Sequence, residues 1–490
     1  MPSRWTPAFR RLLSLILAWI TLTAVASPTL GVMAKLIVGS VFAASFWNPA
    51  EGLLVAAGLA PLGVLLTAVF EIEAFRLTEA IVLAFFAGSM LRGWPEPSVA
   101  SASRRSVGTP KYATASAWLL AAMAVASAAG VAWRLSGVPG ALPAAARPLV
   151  WSYYTTPDRI GIIEGAKLAE GLGLAAATIV LFRRRPAFAV QMPAVLGASA
   201  FCAGVASLLV WRGLGPASVL QQQARIGYRV TAHVGDINAA GSYFAMVLCL
   251  ALGMSVRERG TGRALWLAAA AACASGLWLS ASRTALASAG IVLALVAAWL
   301  VTSRWKPALR ASALIVMLAV LVALGALRAR SLQRDPDFRG SNFRVQFIET
   351  SARLIKAHPL FGIGVGRYYP DSNLFLTPQL AWTYGFENAH NNFLQIASEM
   401  GLVGFVLFAV WISGGIASAS RALALTPHDW RLLGAFAGVV ALLGTCVISH
   451  PLLISEVAFP FWVQFGLVAG LGASTVLNQG AAPRLRSGRP

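Results

Sequence analysis

Apolar runs follow one another along almost the whole chain, broken only by short polar interruptions, and most are roughly 17–25 residues long, enough to cross hydrocarbon as a helix. They predict membrane spans at about 12–27, 29–46, 50–70, 73–91, 114–133, 161–182, 187–211, 236–255, 264–282, 284–301, 311–327, 398–417, 432–449 and 457–475. The first two are short enough to form a re-entrant pair, so the expected count is 12–14. Core helices of a soluble protein would need abundant polar faces to cover them, and those faces are missing. The fold class is therefore an all-α polytopic membrane protein.

Composition agrees: 58% of the 490 residues are apolar and only 12% are charged, about half the charged fraction of a soluble domain. The net charge of +21 would suggest nucleic acid if the cations formed a stripe with interleaved aromatics. They do not. Most lie in short interruptions: Arg92, Arg104, Arg105 and Lys111; Arg183 to Arg185; Arg257, Arg259 and Arg263; Arg304, Lys306 and Arg310; Arg421 and Arg431; Arg484, Arg486 and Arg489. All of these fall on one side of the span pattern, which the positive-inside rule makes cytoplasmic. Both termini are then inside, and segments 134–160, 212–235 and 328–397 face outward. Arg4, Arg10 and Arg11 before an apolar run resemble a signal peptide, but no small-residue site clearly closes it, and the run reads as a retained first helix. Cys202, Cys249, Cys273 and Cys446 have no CxxC spacing and read as small buried hydrophobes.

The expected organisation is a bundle over 1–327 holding the first eleven spans, an outer (periplasmic) loop over 328–397, closing spans over 398–475 and a cytoplasmic tail over 476–490. Residues 92–113, rich in Ser, Pro and Arg, read as a flexible connector.

With the cytoplasmic charges accounted for, arginines on the outer side stand out. Arg225 and Arg229 lie in an outer loop, and Arg283 sits in a tight outer turn between two spans. Guanidinium is planar, always charged and suited to bidentate phosphate contacts, so the cluster points to an anionic lipid-linked ligand. The bland alternative is snorkelling to ordinary headgroups. In the long loop, the glycine run from His358 to Gly366 lacks the Lys-Ser/Thr and strand–helix context of a phosphate loop; it reads as a tight turn needing permissive backbone. His390 is the candidate base, since imidazole titrates near neutrality. Glu387, Asn391, Gln395 and Glu399 flank it or share its helix as candidate sugar or acceptor contacts. By chemistry alone, a hydrogen-bonded structural histidine is the stronger reading. Glu164, Lys167 and Glu170 recur on one helix face, either as a self-neutralised triplet or as a donor-sugar site. Lys35 and Glu79 are weaker cases; His428 with Asp429 reads as solvated, and His450, before Pro451, as structural.

The stretches AHNNFLQIASEMGLVGF from Ala389, HPLFGIGVGRY from His358, SASRTALAS from Ser280 and RVTAHVGDINAAGSYFAMVLCLAL from Arg229 together resemble the bacterial O-antigen ligase and O-antigen polymerase superfamily. The likeness covers roughly 220–475 in order and spacing; the first 200 residues match only as hydrophobic spans. It implies a GT-C-like membrane glycosyltransferase of the inner membrane. Such an enzyme moves a glycan from undecaprenyl diphosphate to an acceptor hydroxyl on the periplasmic face, with inversion and with neither metal nor other cofactor. It implies His390 as the essential loop histidine, and Arg283 and Arg229 as diphosphate ligands, with Arg225 a close second to Arg229. Thr231 to Gly235 depart from the Gly-Thr-Phe-Gly often found there. The expected acceptor is lipid A-core, as in a ligase; a polymerase acting on a growing polymer and a protein O-oligosaccharyltransferase are alternatives. A transporter or flippase would instead need interrupted helices paired in two halves, which this chain lacks.

Overall fold

The computed structural model describes residues 7–93, 111–135, 147–152, 156–227, 229–302, a few positions between 305 and 317, and 339–486. Among these the secondary structure is helical apart from one isolated antiparallel bridge between Phe75 and Trp151. The chain is an all-α polytopic membrane protein. Nine described helices are long and apolar enough to cross a bilayer, and Leu12–Ala26, Val32–Trp47 and Trp430–Thr445 are shorter apolar helices. The span expected at 311–327 lies mainly outside the described residues.

Burial separates the centre of the bundle from its rim. Ile237–Arg257 (α1) and Ser455–Thr475 are 89% and 94% buried within their apolar windows, whereas Arg283–Val301 (α2) is 17% buried and Tyr112–Arg134 is 22% buried. The central α1 packs on Trp430–Thr445 (α3) through small residues. A Cβ on Gly253 would fall 2.4 Å from the carbonyl oxygen of Trp430, and one on Gly438 would fall 2.3 Å from that of Met246. Close backbone approach of this kind is how helices associate where water supplies no hydrophobic drive.

Two expectations change. Cys202 is exposed on Phe188–Trp211, while the other three cysteines are free and buried. Residues 476–486, expected as tail, continue the last helix, which runs from Ser455 to Arg486 (α4).

The segment before α5, Asn392–Leu425, is not a plain loop. Arg339–Ala357 forms an amphipathic helix (α6) packed against α5. The glycine run then turns the chain back, with Gly362, Gly364 and Gly366 all at positive φ (67°, 106° and 72°). This is the left-handed backbone that glycine alone adopts cheaply, as the sequence pattern predicted. The turn is pinned to a kink in α5 at Gly401, φ 66°, where a Cβ would lie 2.2 Å from the Leu360 oxygen.

Candidate active site

Several of the polar residues singled out from the sequence lie at one end of the bundle, and short local devices bring them there. The backbone N–H of Val230 donates to Leu279 O at 2.9 Å, laying the Arg229 segment beside the end of Gly260–Ser280. Ala281 turns left-handed at φ 48°, and Ser282 caps α2 by accepting from Ala285 N, so Arg283 opens that helix. Ser282 Oγ also donates to Asn238 Oδ1 at 3.2 Å. This ties the arginine turn to the first turn of α1, which Asp236 caps by accepting from Asn238 and Ala239 N at 2.8 Å each.

The His-Asn motif is a helix start. Asn391 caps α5 by accepting from Phe393 and Leu394 N, at 2.9 and 3.0 Å. Its amide donates to Val447 O at 2.7 Å. Asn392 N donates to Cys446 O, and Asn392 Oδ1 accepts from Leu452 N. These bonds clamp the start of α5 onto the segment between α3 and α4, which carries His450. His390, immediately before the cap, takes the left-handed conformation at φ 47°. Outside Asn and Gly this costs about 1–3 kcal/mol and tends to occur where surrounding structure enforces it.

His390 is thereby held between two rings. Its centroid lies 4.8 Å from that of Phe347 on α6 and 4.7 Å from that of His450. Its Nε2 is 3.7 Å from Glu387 Oε1, and His450 Nε2 is 3.7 Å from Asp236 Oδ2, longer than a hydrogen bond but close enough for each carboxylate to act on the ring beside it. The result is a row: Glu387, His390, His450, Asp236. Burial and the neighbouring His450 push the His390 imidazole down to about 4, against the pull of Glu387 and Asp236. Burial likewise lowers His450, with Asp236 acting the other way. Both rings are neutral at pH 7, the form that accepts a proton.

One further arginine was not singled out in the sequence. Arg344 stands one turn before Phe347 on α6. Partial removal from water and the positive charges of Arg229 and Arg283 draw it below the ordinary arginine range, although its side chain still reaches solvent. Arg344 also contributes to lowering His390. Arg344 thus feels the charges of both outer arginines and bears in turn on His390. Spacing could not reveal this, because Arg344 belongs to a helix far from the other two in sequence. His450, read as structural, proves to be the neighbour of His390. Arg225 lies in Ala217–Ile226, with its side chain outside the described residues.

Other expected contacts are committed to the protein itself. Glu399 is 6% exposed and accepts from Gly366 N (2.9 Å), Tyr368 N (3.2 Å) and Gln395 Nε2 (2.8 Å). Gln395, 2% exposed, accepts from Ala389 N. These two fasten the glycine turn and the His-Asn segment to α5 instead of facing a ligand. Asn391 is occupied as cap and clamp. Lys167 pairs with Glu164 at 2.6 Å and donates to Leu453 O at 2.6 Å; Glu170 is buried, with Oε2 unpartnered. Asp429, read as solvated, caps α3 by accepting from Leu432 N. His233 is fully buried against Tyr243 and Phe244, and burial pushes it down to about 3. Among the described residues no group of three His, Cys, Asp or Glu side chains is placed to hold a metal ion.

No curated protein matches the chain. Residues 267–409 match the family model described as O-Antigen ligase, in agreement with the superfamily that the motifs resemble. The matched segment takes in Arg283, Arg344, the glycine turn and His390, and stops short of Asp236 and His450 on either side.

Proposed function

We propose that this membrane protein, with its O-antigen ligase segment over 267–409, transfers a glycan from undecaprenyl diphosphate to an acceptor hydroxyl at the periplasmic face of the inner membrane. The observation that carries the reading is that the Arg283 turn is tied through Ser282 and Asn238 to the start of α1, where Asp236 lies 3.7 Å from His450 and His450 packs on His390 with ring centroids 4.7 Å apart. Guanidinium is planar, permanently charged and able to hold phosphate oxygens in a bidentate fork, which suits Arg229, Arg283 and Arg344 to a lipid diphosphate.

In this reading the arginines grip the diphosphate and stabilise the charge it gains as a leaving group, the electrostatic contribution that usually dominates. The acceptor oxygen attacks the anomeric carbon from the face opposite the diphosphate. The new C–O bond forms as the anomeric C–O bond to phosphate breaks, with inversion. The hydroxyl proton passes to a nitrogen of His390, whose imidazolium Glu387 stabilises. His450, backed by Asp236, fixes the plane of the His390 ring and lowers its proton affinity. No step calls for a metal. The favoured acceptor is lipid A-core, as in a ligase; polymerase and protein O-glycosylation are the readings next to it. Polar residues gathered at one end of the bundle, instead of along a central path, favour transfer over transport.

The test is reconstitution: purified protein, an undecaprenyl-diphosphate-linked glycan, and lipid A-core offered against excess donor as competing acceptors. New glycosidic product on lipid A-core is the expected result. Product built on the donor would make the protein a polymerase, and translocation without product would make it a transporter.

A further inference from the structure

A polar cavity is lined in part by the residues that follow His450, Leu453 to Glu456. It is a cavity of about 330 Å³, walled by Thr67, Arg76, Thr78, Glu79, Lys167 and Glu456 among others, within the usual range of ligand pockets, about 300–1,000 Å³. The His450 segment joins it to the site described above. His450 opens the single 3-10 turn Pro451–Leu453, Leu453 O at its far end accepts from Lys167 Nζ, and Ser455 and Glu456 follow.

Its charged groups largely satisfy one another. Arg76 Nη2 pairs with Glu79 Oε1 at 2.6 Å, Ser455 Oγ donates to the same oxygen at 2.7 Å, and Thr78 Oγ1 donates to Glu456 Oε1 at 2.8 Å. These bonds all fall on Oε1 of the two carboxyls. Arg76 Nε is buried with no partner. A buried unpaired donor costs about 1–3 kcal/mol. Hydroxyl, carboxyl and cationic side chains thus line one cavity together. Its two carboxyls (Glu79 and Glu456) balance its two cations (Arg76 and Lys167), and Lys167 is further neutralised by Glu164 outside the lining, so the cavity has no surplus positive charge for a phosphate. A neutral, hydroxyl-rich ring suits it: each sugar hydroxyl donates and accepts, and bonds to ionised groups are the stronger kind.

We infer that this cavity is a sugar subsite, which seats a ring of the acceptor or donor glycan. The inference rests on the glycosyl-transfer reading for its role, but binding tests it directly. Full-length protein in nanodiscs is titrated with two probes, delipidated core oligosaccharide and an oligosaccharide of the donor repeat, and contact is read by saturation-transfer NMR. Two variants are compared. Glu79→Gln removes a charged acceptor, and Thr67→Trp fills the space without touching the ion pairs. Binding of one probe, weakened about tenfold or more by both variants and unchanged in the control Gly290→Ala, which meets nothing within 4 Å, is the expected result; which probe binds assigns the ring to acceptor or donor. If Thr67→Trp, still folded by its melting temperature, binds both probes like the wild type, or if neither probe contacts the wild type, the subsite is overturned. Failure of the glycosyl-transfer reading looks different, as probe binding without any glycosidic product.

Discussion

His390 and His450 face each other with ring centroids 4.7 Å apart, although one precedes α5 and the other follows α3. The contact is built by Asn391 and Asn392, whose side chains and backbone bind the 446–452 segment. Replacing Asn392 by Ala should therefore separate the histidines without removing either. Transfer should fall about tenfold or more, with donor affinity retained, since misplacement of a base by 1 Å is costly. Single-turnover transfer measured beside donor binding checks this.

The pH profile reports the same pair. His390, pushed down to about 4, works as a base only while neutral. In kcat/KM, which reports the free enzyme, activity should stay level from neutral pH downward and fall as pH drops through about 4. His450→Gln removes a neighbour that lowers His390, so the acid limb should move upward. An unshifted limb in that variant would detach His450 from the titration.

Arg344 should behave as a third diphosphate ligand. Arg344→Ala and Arg283→Ala should each weaken lipid-linked donor binding, and Arg→Lys should restore it only in part, because lysine keeps the charge but loses the fork. Wild-type affinity in Arg344→Ala would return this arginine to the surface.

The bundle and its end-facing arginines were legible in the sequence because span length and charge bias are local signals, and the glycine turn because positive φ has few residue solutions. Arg344 and His450 were not legible. Each earns its place through a contact between distant segments, Phe347 against His390 in one case and Asn392 on Leu452 in the other. What Gln395 and Glu399 bind was equally illegible. Their spacing beside His390 says nothing of the Gly366 and Ala389 backbone groups from which they accept.

That backbone predicts a stability effect. Gly401 combines φ 66° with a Cβ position 2.2 Å from the Leu360 oxygen, so Gly401→Ala should destabilise the turn by about 1–3 kcal/mol or more. Faster proteolysis of the 358–366 segment checks it, with Gly290→Ala, which meets nothing within 4 Å, as the silent control.

Orientation is tested by labelling. Thr383, exposed beside α6, and Thr261, exposed at the opposite end of the bundle, should differ as cysteines toward an impermeant reagent. In spheroplasts Thr383→Cys should react and Thr261→Cys should not; the reverse pattern would invert the topology.

The division between binding and chemistry is the central claim, and one comparison tests it most directly: donor affinity and single-turnover transfer measured side by side in His390→Ala and Arg283→Ala. The account predicts that His390→Ala binds donor nearly as the wild type does and loses transfer about 10²–10⁴-fold, while Arg283→Ala loses both. His390→Ala that loses donor affinity while keeping its transfer rate would make His390 a binding residue and contradict the mechanism.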